Sequence, residues 1–294
     1  MQLSYEVARL QSQIAELTSI EPVTVQAMAR EAINLDIDWT TEYSEYQSGG
    51  WKTLSLFNET GRYHDTVIKD AQAVETSLLN QMPATREFLR SLGLRYMAVR
   101  LAKLEPQAFL WEHRDYAELE PVPRKRFHLP LITNEGCRLV IGGAAVHMQR
   151  GALWMLDPTE RHGACNLGHA SRIHLLIDAY VDEAATRLLS NATLPIERIA
   201  VLPSAAPIEI KNAFARACKL AKLGYRRSAE ALLLKTFHKY DLGEGKAYDL
   251  IVDMYETLED RAQSRRWSSL KDLYLGRSRR GITHARKAAV AEQA

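Results

Sequence analysis

His113 and Asp115 stand two residues apart in "WEHRDYAELE" (111–120), after the apolar run "AFLW" and before an acidic patch. On a β-strand, residues i and i+2 point to one face, so an imidazole and a carboxylate at this spacing can reach one point in space. A metal ion suits such a point, although His-x-Asp also recurs by coincidence. A second histidine, His162 in "LDPTERHGACN", follows a Pro-Thr-Glu turn after the strand-like "ALWML", where a further strand begins. With His113 and Asp115 it completes a two-histidine, one-carboxylate set, which occupies one face of an octahedral ferrous ion and leaves three positions open.

Basic residues follow in the same region. Arg172 opens the strand-like run "SRIHLLIDAY" ten positions after His162, and beside a ferrous site its planar fork can grip a carboxylate in two places. In "RKRFHLPLI", Arg126 and His128 share one strand face while Phe127, Leu129 and Leu131 share the other. Charged groups on an inward face are costly unless paired, so Arg126 either meets solvent or binds an anion.

The elements that must carry these residues differ along the chain. From Met1 to about Leu35 apolar residues recur at helical spacing, with Leu10, Ile14 and Leu17 on one side, which predicts one or two amphipathic helices. A Gly-Gly turn at 49–50 leads into an alternating segment, and "AQAVETSLLNQMPATREFLRSLG" predicts a helix ending at Gly93. Between Leu94 and about Val181, short period-two runs bounded by "EP", "PVP", "TNEG" and "DPTE" predict many strands, and a jelly roll. From about Ala205 onward the pattern is helical again, and "HARKAAVAEQA" at the end predicts a frayed terminus. The expected division is a jelly-roll domain with N-terminal helices over 1–204 and a helical domain over 205–294.

Composition narrows the function classes. A chain of 294 residues with 46% hydrophobic content can bury a sizeable core, and a net charge of +2 gives no global field for nucleic acid or an anionic membrane. The basic run "LGRSRRGITHARK" lacks interleaved aromatics and reads as a solvated tail. Cys137, Cys165 and Cys218 are odd in number and widely spaced, which fits a reducing, cytoplasmic setting without disulfides. No apolar run approaches a membrane span, and a homodimer is compatible with the sequence. His64, His147, His169, His174, His238 and His284 lack a matched partner set and read as structural or exposed, and Trp154 reads as a core residue near the site.

The stretches "HRDYAELE", "RFHLPLITNEG", "VHMQRGALWMLD", "RHGACNLGHASR" and "IHLLID" resemble the free-proline hydroxylases, within the aspartyl/asparaginyl β-hydroxylase group of iron(II)- and 2-oxoglutarate-dependent dioxygenases. "YQSGGWKTLSLFNETG" resembles the segment ahead of their core, and "HKYDLGEGKAYDLIVDMY" resembles their carboxy-terminal helical domain. The resemblance implies a double-stranded β-helix of the cupin-like kind and a metal set of His113, Asp115 and His162. It implies that Arg172 holds the distal carboxylate of 2-oxoglutarate, that His128 faces this co-substrate, and that Arg126 meets the carboxylate of an amino-acid substrate. Fe(II), 2-oxoglutarate and O2 are then required, and succinate and carbon dioxide are released. An intact Asp115 points to hydroxylation rather than halogenation, with desaturation and cyclisation as other outcomes of the same chemistry. Glu112 stands where the proline enzymes have proline, at an expected pocket lip, which counts against proline itself as the substrate.

Two other readings remain beside a free, proline-like amino acid. The same chemistry could act on a residue embedded in a peptide, a carrier-bound amino acid or a cyclic dipeptide in natural-product biosynthesis, where Arg126 would lose its purpose. A jelly-roll protein that binds metal without 2-oxoglutarate would leave Arg172 without one.

Overall fold

Period-two alternation between Tyr96 and Tyr180 builds two facing antiparallel sheets, seen in a computed structural model that describes residues 2–41, 46–116, 119 and 121–276. The chain opens with α1 (Gln2–Gln13), β1 (Ile14–Ser19) and α2 (Pro22–Ile33), followed by β2 (Thr40–Thr41), β3 (Trp51–Asn58), β4 (Val74–Glu75) and α3 (Pro83–Leu92). The central strands are β5 (Tyr96–Leu104), β6 (Phe109–His113), β7 (Arg124–Ile132), β8 (Cys137–Ile141), β9 (Ala144–Val146) and β10 (Ala152–Leu156). After β11 (His162–Asn166) and β12 (Arg172–Tyr180) come α4 (Glu183–Leu189), β13 (Ile199–Val201) and the helices α5 (Pro207–Lys222), α6 (Arg226–Leu234), α7 (Lys246–Thr257) and α8 (Arg261–Leu275).

The larger sheet runs β1-β10-β7-β12-β5-β3-β2, with β4 beside β3, and the smaller runs β13-β9-β8-β11-β6. This is the expected double-stranded β-helix with helices at both ends. Leu54, Leu101, Phe127, Leu129, Leu175 and Ile177 form the outer face of the larger sheet and pack beneath Val25, Met28 and Phe88 of α2 and α3. The helices after Pro207 share a hydrophobic cluster with the smaller sheet, joining Leu110, Trp111 and Ala164 to Leu233, Tyr248 and Tyr274. The inner faces of both sheets are thus left to line a cavity.

Two expectations at the amino end need correction. Ile14 and Leu17 lie on β1, which pairs antiparallel with β10, rather than on a helix. An open sheet edge that can accept backbone hydrogen bonds outweighs a helical apolar spacing of only a few residues. The helix expected from Ala71 begins only at Pro83, preceded by β4 and a 3-10 turn at Ser77–Gln81. It ends as expected, with Gly93 left-handed at φ 62°. The three cysteines are free. No helix among the described residues is long and apolar enough to cross a membrane. The terminal segment expected to fray, and His284, lie outside the described residues.

Candidate active site

His113 ends β6 and His162 begins β11, and the two are direct cross-strand partners. Their rings lie 4.5 Å apart. Asp115 follows in the turn just past β6, where its backbone N–H donates to the Pro158 carbonyl at 2.9 Å. His113, Asp115 and His162 are all buried, and one ligand atom from each lies within 4.8 Å of the others. The Nδ1 of His113 lies 2.7 Å from the Trp111 carbonyl and that of His162 lies 2.8 Å from the Glu160 carbonyl. A carbonyl accepts only from a protonated nitrogen, so both Nε2 atoms carry their lone pairs toward Asp115, at 3.6 and 3.5 Å. Burial, and then the neighbouring His162, pushes the His113 imidazole down to about 4, so it stays neutral. Burial alone would raise the Asp115 carboxyl, but Arg126 and the two imidazoles outweigh it and hold the group well below the usual carboxylate range. Two imidazoles that turn Nε2 inward and a carboxylate facing the same point fit a borderline divalent cation such as Fe(II).

The opposite wall carries cations. Arg126 ion-pairs with Asp115 and donates through Nε to Asp178 at 2.9 Å, while its Nη2 has no hydrogen-bond partner. Arg100 and Arg124 also approach Asp178, at 3.7 and 3.6 Å. Arg172 is 3% exposed, lies 5.8 Å over the Trp51 ring, and pairs with no carboxylate among the described residues. Burial lowers its pKa, the mark of a cation with no anion beside it. A buried charge left unpaired is strongly disfavoured, so this guanidinium fits an anion that comes from outside the chain. His128 lines the same cavity with both ring nitrogens unpartnered, and burial followed by Arg126 and Arg172 holds it neutral.

All six residues singled out in the sequence, His113, Asp115, Arg126, His128, His162 and Arg172, line this one cavity. Arg126 faces the cavity rather than solvent. His174, on the Arg172 strand face, is buried 5.9 Å from His128 and outside the cavity lining. Trp154 is fully buried and also off the cavity. Glu112 is not at a pocket lip. As the neighbour of His113 on a strand it faces the other way, where it meets Arg161 at 3.0 Å and the Gly245 N–H at 3.2 Å. Its identity therefore says nothing about whether proline fits.

Sequence reasoning missed Arg100, Asp178, Tyr46 and Tyr116. The first two had a legible signal, a charge in the middle of an apolar strand, which needs a partner when buried. Tyr46 stacks on His113 at 4.6 Å between ring centroids. Tyr116, directly after Asp115, is left-handed at φ 52°, a strained position for a residue with a side chain, and it turns its ring into the cavity lining.

The fold and site together define a jelly-roll protein with a His-Asp-His set at one wall and buried arginines at the other. The family described as aspartyl/asparaginyl beta-hydroxylase matches residues 20–181, more than half of the chain. The protein belongs to that family of iron(II)- and 2-oxoglutarate-dependent dioxygenases. An L-proline cis-4-hydroxylase from Rhizobium meliloti is 26% identical over 265 residues, 86% of this chain and 93% of that protein. An L-proline cis-3-hydroxylase from a Streptomyces species is 25% identical over 244 residues, 79% of this chain and 83% of that protein. A solved prolyl-4-hydroxylase from Pseudomonas putida overlaps 60% of this chain and 98% of its own, at 17% identity and a TM-score of 0.40.

Proposed function

We propose that the protein hydroxylates an unactivated C–H bond of a free, proline-like amino acid or small amino-acid derivative. In this reading His113, Asp115 and His162 hold Fe(II), and Arg172 pairs with the distal carboxylate of 2-oxoglutarate. The observation that carries it is the convergence of two imidazoles, each turned by a backbone carbonyl, and Asp115 within 4.8 Å, across a cavity from a buried arginine that pairs with no carboxylate among the described residues.

Bound Fe(II), with 2-oxoglutarate and O2, supplies the oxidising power that breaks the C–H bond. The chain's own residues position and protect. The Trp111 and Glu160 carbonyls lock the two imidazoles in the tautomer that leaves Nε2 free. Arg172, steadied over Trp51, fixes one end of a dicarboxylate so that its other end reaches the His-Asp-His wall. His128 stays neutral and offers ring nitrogens along the way. Arg126, already holding Asp115 and Asp178, keeps its Nη2 for an amino-acid carboxylate. Leu110, Leu139 and Leu176 line the remaining wall and exclude water from the reacting bond.

The pairing of Arg126 with two aspartates also favours a second reading, in which the substrate carboxylate is masked and this arginine serves only the site. Comparing free L-amino acids with their carboxamides, by succinate release, separates the two. The free-acid reading predicts turnover of the acid and about 100-fold or greater loss for the amide, since the buried Arg126 Nη2 then loses its charged acceptor. Equal or better turnover of the amide would overturn it in favour of the masked substrate.

A further inference from the structure

His113 and His162 oppose each other on the cavity side, and the residues just before them, Glu112 and Arg161, are diagonal neighbours whose side chains meet on the far side. There Arg161 Nη1 donates to Glu112 Oε1 at 3.0 Å, linking the two histidine-bearing segments a second time. Glu112 is 1% exposed, and its carboxylate also accepts from the Gly245 N–H at 3.2 and 3.3 Å, at the amino end of α7. Arg161 Nη1 donates in addition to the Leu242 carbonyl at 3.1 Å, and Tyr248 Oη donates to the Glu112 carbonyl at 2.6 Å. The pair is thus closed over by the 242–245 turn and α7, which gives the carboxyl-terminal helices a place in the site although none of their side chains was found in the cavity lining.

We propose that the Glu112–Arg161 pair, sealed by the 242–245 turn, is a positioning clamp that sets the His113–His162 spacing and through it the affinity for the divalent metal. The clamp rests on the proposed metal role of those histidines. Glu112 precedes His113 on β6 and Arg161 immediately precedes β11, so each is one peptide unit from its histidine, and a fixed contact behind the sheet restricts the separation of the imidazoles in front of it. Groups one step removed from a metal that orient its ligands typically change affinity 10- to 100-fold when lost. Glu112 and Arg161 do not approach substrate and act only through the histidines.

The test is Mn(II) binding to the full-length, metal-stripped protein, followed by the resonance signal of free Mn(II), a readout independent of turnover. Wild type is compared with Glu112→Gln, Arg161→Met and the double variant. Tyr255→Phe serves as a control that removes a bond inside the helical unit, from Tyr255 to Glu230 at 2.7 Å, without touching the clamp. Each single clamp variant is expected to weaken Mn(II) by about 10-fold or more, with the double variant little worse than the singles, because both remove one interaction. The control should stay within twofold even where its melting temperature falls. If either single variant does not fold, Arg161→Lys, which keeps the charge, decides by the same threshold. A loss of fivefold or more in folded protein supports the clamp, and a smaller loss, or an equal loss in the control, overturns it. Failure of wild type itself to bind Mn(II) would instead overturn the metal reading beneath it.

Discussion

The two sheets meet the cavity with different chemistry. The smaller one presents imidazoles, His113 and His162, buried and fixed by backbone carbonyls. The larger presents guanidiniums, Arg100, Arg126 and Arg172, together with His128. Asp115 sits at the seam, touching both histidines and ion-paired with Arg126. In the proposed function the first wall holds a cation and the second holds anions. A dicarboxylate that binds a metal at one end and Arg172 at the other then spans that division.

The seam is where the contrast breaks most completely. Asp115→Ala removes the only carboxylate of the metal set and leaves Arg126 beside two bare imidazoles, so succinate release should fall to background in protein that still folds. Retention of even a tenth of wild-type turnover would show that Asp115 belongs to the arginine wall alone. Arg172→Met tests the other end. The KM for 2-oxoglutarate should rise on the order of 100-fold, the scale for removing one partner of a buried charge pair, while metal affinity changes little. Equal damage to both would erase the division between the walls.

Tyr46→Leu probes the smaller sheet more gently. Its ring stacks on His113 at an interplanar angle of 21°. Such a pair is worth about 0.5–1.5 kcal/mol beyond burial, so metal binding should weaken by about 2- to 10-fold and 2-oxoglutarate binding at saturating metal should not. A separate effect is on stability and appears only without metal. The His113 imidazole titrates near 6.5 when unfolded and is held at about 4 in the fold. The unfolded chain therefore takes up its proton first as pH falls. Metal-free protein should lose stability from about pH 6.5 down to about pH 4, by no more than about 1.4 kcal/mol per pH unit from this group. Urea midpoints at pH 7 and 5 should differ more in wild type than in His113→Gln, and an equal difference would show that burial does not perturb this residue.

Much of this arrangement was legible in the sequence because strands alternate strictly. Arg126 and His128 against Phe127, Leu129 and Leu131, and His162 at a strand start, required only local periodicity and a turn. The i, i+2 argument for Asp115 was right in effect and wrong in detail, since β6 ends at His113 and the carboxylate is aimed by the turn and its bond to Pro158. What lay beyond reach depended on distant segments. Ile14 and Leu17 joined a strand because β10 offered an edge, and Glu112 turned from a presumed lip into a buried ion pair because the start of a helix, at Gly245, 133 residues later, closes over it. Alternation alone would have turned Glu112 away from His113, but not revealed what it meets there.

The most direct test is an anaerobic titration of metal-free protein with Fe(II) and 2-oxoglutarate, following the weak visible band of the chelate. Wild type is expected to give a band that is lost in Asp115→Ala and reached only at far higher 2-oxoglutarate in Arg172→Met. A folded, iron-loaded wild-type protein that gives no band would contradict the claim that these two walls hold one metal and one co-substrate.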